Sequence, residues 1–252
     1  MTRSLRALLV LSLAALSLLS VGCGWRGRGR ALLSGRPPFD VMDPSGTWIA
    51  EGNLPWGTGH TLQIQGPGPV FRVARVDAAG QPLAFGVAVA EAGHLYVGYT
   101  GALEASQVAV YHPGELDVEG VWADGRSTDL GTEEWRGLGV PDPFSGAFRT
   151  WGTNPGGGSY SMTVSVSDMG SGVYDVRWGS GHQEFVGVGF RTGDRLATAA
   201  VLTYQSSFTH TMWSQRGYVL GIYDLTNGTG VGVFRESAEA VAVVGVDQIR
   251  RP

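Results

Sequence analysis

The sequence predicts an all-β fold made of two tandem repeated antiparallel meander units, each a small up-and-down barrel or barrel-like sandwich. Of the 252 residues, 40 are glycine and 12 are proline, which is typical of many short strands joined by turns. Apolar and polar residues alternate in several segments, and no segment after the N-terminal region shows a sustained helical period. The chain also contains an internal repeat, which predicts two copies of one unit.

The repeat gives two similar units, 44–137 and 144–252, on either side of a linker at 138–143 that carries two prolines. Segments match in the same order and at a near-constant offset: 45–48 with 145–148, 70–75 with 173–178, 86–89 with 187–190, and 109–111 with 221–223. We therefore expect one barrel from each half. A single barrel or sandwich shared by both halves is the alternative.

Each half contains about seven or eight candidate strands of ordinary length. In 61–65, and at Met162, Val164 and Val166, apolar residues recur at every second position, as in a half-buried strand. Turn signals separate these segments, and Asn227-Gly228 is the sharpest of them. Closing such a meander removes its exposed edges, and eight strands leave room for side chains or one small ligand.

The N-terminus resembles an export signal, predicted over 1–22. Arg3 and Arg6 precede an uncharged apolar run at 7–21, which is shorter than the roughly 18–20 residues of a membrane-spanning helix. The segment Leu19-Ser20-Val21-Gly22-Cys23 resembles the lipobox of bacterial lipoproteins, with Ser20 where the family carries leucine. The resemblance implies lipid attachment at Cys23. The alternative is an ordinary secretory signal with Cys23 removed or left as a thiol.

Composition bounds the partners and the chemistry. The predicted tether, 23–43, carries four arginines, whereas the body that follows is acidic, an arrangement that suits anionic lipid and not nucleic acid. A single cysteine excludes an internal disulfide and zinc sites built from several thiolates. All 18 basic residues are arginine, and the lack of lysine excludes a Walker A motif and Schiff-base chemistry.

Gly46-Thr47-Trp48 resembles the first strand of lipocalins and avidin-like barrels, the calycin type. The resemblance implies a barrel interior that holds a small apolar ligand. Three tryptophans are candidates for lining such an interior: Trp48, Trp122 and Trp178. Aromatic residues at alternating strand positions are more often core, so we favour a packing role for them.

No motif identifies a reaction, a metal site or a cofactor. The five histidines form no H-E-x-x-H motif, and G-x-S-x-G is absent. Asp117 and Glu119 lie two residues apart on a predicted strand and would project from one face, which leaves a polysaccharide hydrolase open. We favour a solvated acidic face there, and we also place Glu133 and Glu134 in solvent at a strand end.

These observations predict an exported protein of the bacterial cell envelope, lipid-anchored at the outer membrane or cell surface. It is expected to act as a non-enzymatic binding or structural module without a cofactor or metal. Its expected partners are the membrane, through the lipid on Cys23, and a small apolar ligand or an envelope protein. The alternatives are a carrier of a small apolar ligand and an envelope polysaccharide hydrolase.

Overall fold

The computed structural model describes residues 43–53, 59–115, 117–137, 142–180, 183–205, 217–236 and 241–252. The predicted signal peptide and Cys23 lie outside the described residues, as does the predicted tether apart from Asp43. The first half forms eight strands: β1 (Gly46–Gly52), β2 (His60–Gln65), β3 (Val70–Val76), β4 (Pro82–Glu91), β5 (His94–Thr100), β6 (Gln107–Pro113), β7 (Val118–Asp124) and β8 (Gly131–Gly137).

The second half forms eight more: β9 (Gly146–Thr153), β10 (Ser159–Gly170), β11 (Val173–Gly179), β12 (Gln183–Thr192), β13 (Arg195–Gln205), β14 (Tyr218–Asp224), β15 (Thr229–Arg235) and β16 (Val243–Arg250). A single turn of 3₁₀ helix, Leu103–Ala105, lies between β5 and β6. In the described part of the chain, no helix is long and apolar enough to span a membrane.

The sixteen strands close into two antiparallel eight-stranded barrels, which confirms the predicted fold class. One barrel contains β6 to β13 in chain order, closed by pairing of β13 with β6. We call it the contiguous barrel. The other contains β1 to β5 followed by β14 to β16, closed by pairing of β16 with β1. We call it the discontinuous barrel.

The strand order corrects the predicted division of the chain. Residues 44–137 and 144–252 each supply eight strands, but each barrel takes strands from both halves. The last three strands of one half have changed places with the last three of the other. The prediction of one barrel from each half is therefore wrong in its assignment of strands. The predicted linker, 138–143, separates two strands of the same barrel in the sequence, β8 and β9.

The repeat explains how this exchange is accommodated. Because the halves are similar, β14 is equivalent to β6 and can pair with β5 in its place. Every strand therefore has a hydrogen-bonded partner on each side within its barrel. Tyr99 of β5 lies opposite Val219 of β14.

The chain crosses between barrels at 101–106, where the buried Ser106 hydroxyl donates a hydrogen bond to the Phe85 carbonyl, 3.2 Å away. At Gly98 a Cβ atom would collide with the Gln107 carbonyl, so β5 approaches β6 closely only because that position is glycine.

The two barrels pack against each other through the outer faces of their walls. The residues that form this apolar contact come from both barrels, and they include Val87, Val89, Tyr96, Val108, Val110, Val188, Ala199, Leu220 and Ile222. Separate clusters fill the two interiors, around Trp48, Phe71 and Tyr223 in the discontinuous barrel and around Trp135, Phe148 and Tyr174 in the contiguous barrel. Burial on both faces explains why several central strands are apolar without alternation.

Charged pairs join the barrels beside this apolar contact. Arg235 of β15 forms an ion pair with Asp175 of β11, and both side chains are largely buried. Glu91 at the end of β4 contacts His112 of β6 at 3.0 Å between Oε2 and Nε2. Polar contacts of this kind fix the relative register of two packed surfaces, because apolar contact alone is not directional.

We expect Asp175→Asn to lower the free energy of unfolding by about 1–3 kcal/mol, because it leaves Arg235 largely buried with a weakened partner. The control is Asp194→Asn. Asp194 pairs with Arg195 at 3.4 Å, but its side chain is 72% exposed, so we expect a change within about 0.5 kcal/mol. Urea titration followed by circular dichroism measures both, and equal effects would contradict a role for the Asp175 pair in joining the barrels.

Candidate functional site

Strand pairing aligns the interiors of the two barrels residue by residue. Tyr111 lies opposite Leu196 and Gly120, and Gly120 lies opposite Glu133. In the discontinuous barrel, Tyr223 lies opposite Leu95 and Gly230, and Gly230 lies opposite Asp247. The carboxylates of Glu133 and Asp247 therefore occupy equivalent interior positions in the two barrels. Each lies beside an equivalent tyrosine, Tyr111 or Tyr223.

The residues that face these carboxylates differ. Arg75 pairs with Ala84 at the position where Trp178 pairs with Phe185. Tyr99 pairs with Gly86 at the position where Ala200 pairs with Gly187. The contiguous barrel thus has a tryptophan in place of the arginine and an alanine in place of the tyrosine.

In the discontinuous barrel, the carboxylate has its own cation. Arg75, which is fully buried, forms an ion pair with Asp247 through Nη2 and donates a hydrogen bond to the Tyr223 hydroxyl at 2.7 Å. The guanidinium carbon lies 5.5 Å from the centre of the Tyr99 ring. Opposite charges in close contact compensate the cost of burying each of them.

In the contiguous barrel, four neutral donors surround Glu133, which is 5% exposed. Oε1 accepts hydrogen bonds from the Tyr111 hydroxyl at 3.1 Å, from the Trp178 indole at 3.0 Å and from the Trp135 indole. Oε2 accepts one from the Tyr160 hydroxyl at 2.5 Å. The expectation that Glu133 is solvated at a strand end is therefore wrong: β8 turns Glu133 and Trp135 to the same, inner face.

A cavity of about 110 Å³ opens beside this carboxylate at one end of the contiguous barrel. Its lining combines aromatic and apolar side chains with amides and hydroxyls: Gln107, Val108, Ala109, Tyr111, Trp122, Glu133, Asn154, Tyr160, Met162, Trp178, Gln183, Phe185, Thr198 and Ala200. Ala200, which lines this cavity, lies at the position where Tyr99 supplies a ring in the other barrel. The discontinuous barrel has a wider depression of about 340 Å³ at one end, and Tyr99 is one of the residues that line it. In the interior of that barrel, Arg75 contacts Asp247, Tyr223 and Tyr99.

Burial and the charge of Glu133 act together on two phenols of this site. Burial, reinforced by the negative charge of Glu133, raises the pKa of Tyr160 and of Tyr111 well above the ordinary value for tyrosine. Both side chains therefore stay protonated and keep donating to Glu133 through the physiological range of pH.

The three candidate tryptophans lie in different places. Trp122 and Trp178 line the cavity, and their indole rings form part of its wall. Trp48 lies in the core of the discontinuous barrel, 4% exposed, with its indole N–H donating to the Pro44 carbonyl at 2.8 Å. A ligand contact of Trp122 and Trp178 stays a prediction, and Trp48 lies apart from the cavity.

The carboxylates considered for hydrolysis lie on the outer side of the contiguous barrel. Glu119 lies on the outer face of β7, directly opposite Glu134 of β8, and Asp117 precedes the strand. Partial burial, followed by the charge of Glu134, raises the pKa of Asp117, because both disfavour the charged form of the carboxyl group. Among the residues that the structure describes, no group of three or more His, Cys, Asp or Glu side chains is placed to hold a metal ion.

Comparison of the chain with protein-family models, with curated proteins and with solved structures gives no significant match. The resemblances to lipoproteins and to calycin barrels therefore stay predictions. The candidate site rests on the geometry of the contiguous barrel.

Proposed function

We propose that the protein is an exported, lipid-anchored module of the bacterial cell envelope that binds a small ligand without transforming it. The observation that carries the proposal is the cavity beside Glu133, which is lined by aromatic rings and by a few polar groups. Binding sites for small molecules typically combine such walls with a small number of oriented polar groups.

The hydrogen bonds of Glu133 favour binding over catalysis. A general acid or base must exchange a proton with the reacting molecule and needs an accessible oxygen. In the contiguous barrel, both oxygens of Glu133 accept hydrogen bonds from protein donors. A carboxylate held in this way supplies a fixed charge and a fixed geometry.

Two methionine methyl groups allow the proposed binding to be tested. Met162 lines the cavity, whereas Met169 is 56% exposed at the end of β10. With ¹³C-labelled methionine methyl groups, we expect at least one member of a panel of cationic, neutral and anionic solutes of up to about six heavy atoms to shift the Met162 signal. The Met169 signal is expected to stay in place.

Ala200→Leu is expected to fill the cavity and to abolish that shift. The matched control is Ala147→Leu, because Ala147 is exposed on the outer face of β9 in the same barrel and should leave binding unchanged. If no solute of any charge shifts Met162, the proposed binding function is contradicted.

The lipid anchor is tested separately. We expect the full chain, expressed in a bacterium, to incorporate a labelled fatty acid and to fractionate with membranes. Cys23→Ser should abolish both. Labelling that persists in the Cys23→Ser variant would contradict the proposed anchor and leave the cavity unaffected.

A further inference from the structure

We infer that the ligand of the contiguous barrel is a small organic cation of the guanidinium or alkylammonium class. This inference rests on the proposed binding function and adds the chemical class of the ligand. It follows from the charge of the interior, from the difference between the two barrels, and from the size and walls of the cavity.

In the described part of the chain, Glu133 forms no ion pair, and the groups that contact its oxygens are neutral donors. Among the described residues that line the cavity, Glu133 is the one charged side chain, and the groups that donate to it are two phenols and two indoles. An indole N–H can only donate, so these donors match the anionic form of the carboxylate. Neutral donors lower the cost of burying a charge, but a cation nearby lowers it further.

The discontinuous barrel shows how the same carboxylate position is satisfied by a cation. There the Arg75 guanidinium contacts Asp247, donates to Tyr223 and lies over the Tyr99 ring. In the contiguous barrel the carboxylate and Tyr111 are retained, but Trp178 replaces the arginine and Ala200 replaces the tyrosine. Trp178 brings no positive charge to the carboxylate, whereas Arg75 does. Ala200 lines the cavity that lies next to Glu133.

The walls of that space suit a cation. Trp122, Trp178, Tyr160 and Phe185 line it, and aromatic faces attract organic cations through the ring quadrupole. The volume of about 110 Å³ lies below the roughly 150 Å³ of a cavity that takes benzene, which limits the ligand to a compact head group. A ligand of this kind would supply beside Glu133 the positive charge that Arg75 supplies beside Asp247 in the other barrel.

Methylguanidinium and methylurea are a matched pair of probes, because they have nearly the same shape and differ in charge. At equal ionic strength, we expect methylguanidinium to shift the Met162 methyl signal with a dissociation constant at least about tenfold lower than that of methylurea. This comparison uses the unaltered protein and does not depend on the folding of a variant. Comparable affinities would overturn the inference while leaving the binding function in place.

Two variants extend the test. Glu133→Gln removes the charge with little change of shape and should weaken methylguanidinium binding by at least about tenfold, with methylurea much less affected. Trp178→Arg supplies the internal cation of the other barrel and should abolish methylguanidinium binding. Asp247→Asn in the discontinuous barrel is the control and should leave binding unchanged. Cation binding that survives Glu133→Gln in the folded variant contradicts the inference, and a failure of every solute to bind contradicts the proposed function itself.

Discussion

Glu133→Ala is expected to lower the free energy of unfolding by about 3–5 kcal/mol, one of the two largest effects of any single substitution we predict. The variant removes the acceptor of four hydrogen bonds, from Tyr111, Trp135, Tyr160 and Trp178. Their polar atoms would then be buried without an acceptor in the barrel, and each such group costs free energy. Urea titration followed by circular dichroism measures the loss.

Glu134→Ala is the matched control for this experiment. Glu134 is the next residue of the same strand but points outward, where it pairs with the exposed Arg136. A surface pair of this kind contributes little, so we expect a change within about 0.5 kcal/mol. Equal losses for the two neighbouring glutamates would contradict the inward placement of Glu133.

Asp247→Ala is expected to lower the free energy of unfolding by a similar amount, about 3–5 kcal/mol, but for a different reason. It leaves the guanidinium of Arg75 fully buried without its anionic partner. Adding Arg75→Met should restore much of the loss, because the remaining charge is then gone as well. The double-mutant cycle over these two positions measures their coupling.

Glu51→Ala is the control in the same barrel. Glu51 and Arg250 lie on β1 and β16, 3.8 Å apart and both more than half exposed, so their pair should contribute within about 0.5 kcal/mol. If Arg75→Met added to Asp247→Ala increased the loss instead of reducing it, the account of a compensated ion pair would be contradicted.

The two carboxylates separate the roles of the barrels. Both substitutions are expected to destabilise the protein, but only changes at Glu133 should alter binding of a cation. This difference arises because Asp247 already has a cation within its own barrel. The discontinuous barrel is therefore a structural counterpart of the contiguous barrel and provides an internal control for each experiment.

The strands and their turns could be predicted from the sequence because both depend on local physics. The alternation of apolar and polar residues at 61–65 predicts that Leu62 and Ile64 are buried on the inner face of β2, as they are. The turns lie where glycine permits a positive φ, as at Gly228. The repeat predicted equivalent strands in the two halves. It could not predict which equivalent strand would close each barrel, because β6 and β14 offer β5 similar edges.

The candidate site was missed in part because a charged side chain was assumed to be solvated. The pattern Glu133-Glu134-Trp135 contains the missing signal: in a strand, Glu133 shares a face with Trp135, and a buried tryptophan two residues away predicts a buried glutamate. The match of 70–75 with 173–178 also aligns Arg75 with Trp178 as equivalent positions of the repeat. The strand exchange decides which carboxylate each of these two residues faces: Arg75 faces Asp247, and Trp178 faces Glu133. The sequence alone does not show this pairing.

The exchange of strands is the central claim, because it places Glu133 with Trp178 and Ala200 instead of with Arg75 and Tyr99. The most direct test is the pattern of backbone amide NOEs in ¹⁵N-labelled, deuterated protein across the two closing seams. We predict NOEs that join the Ala109 and Thr198 region of β6 and β13, and the Gly98 and Leu220 region of β5 and β14, which are paired in the structure. NOEs that instead pair β5 with β6, with Val97 opposite Ala109, would contradict it.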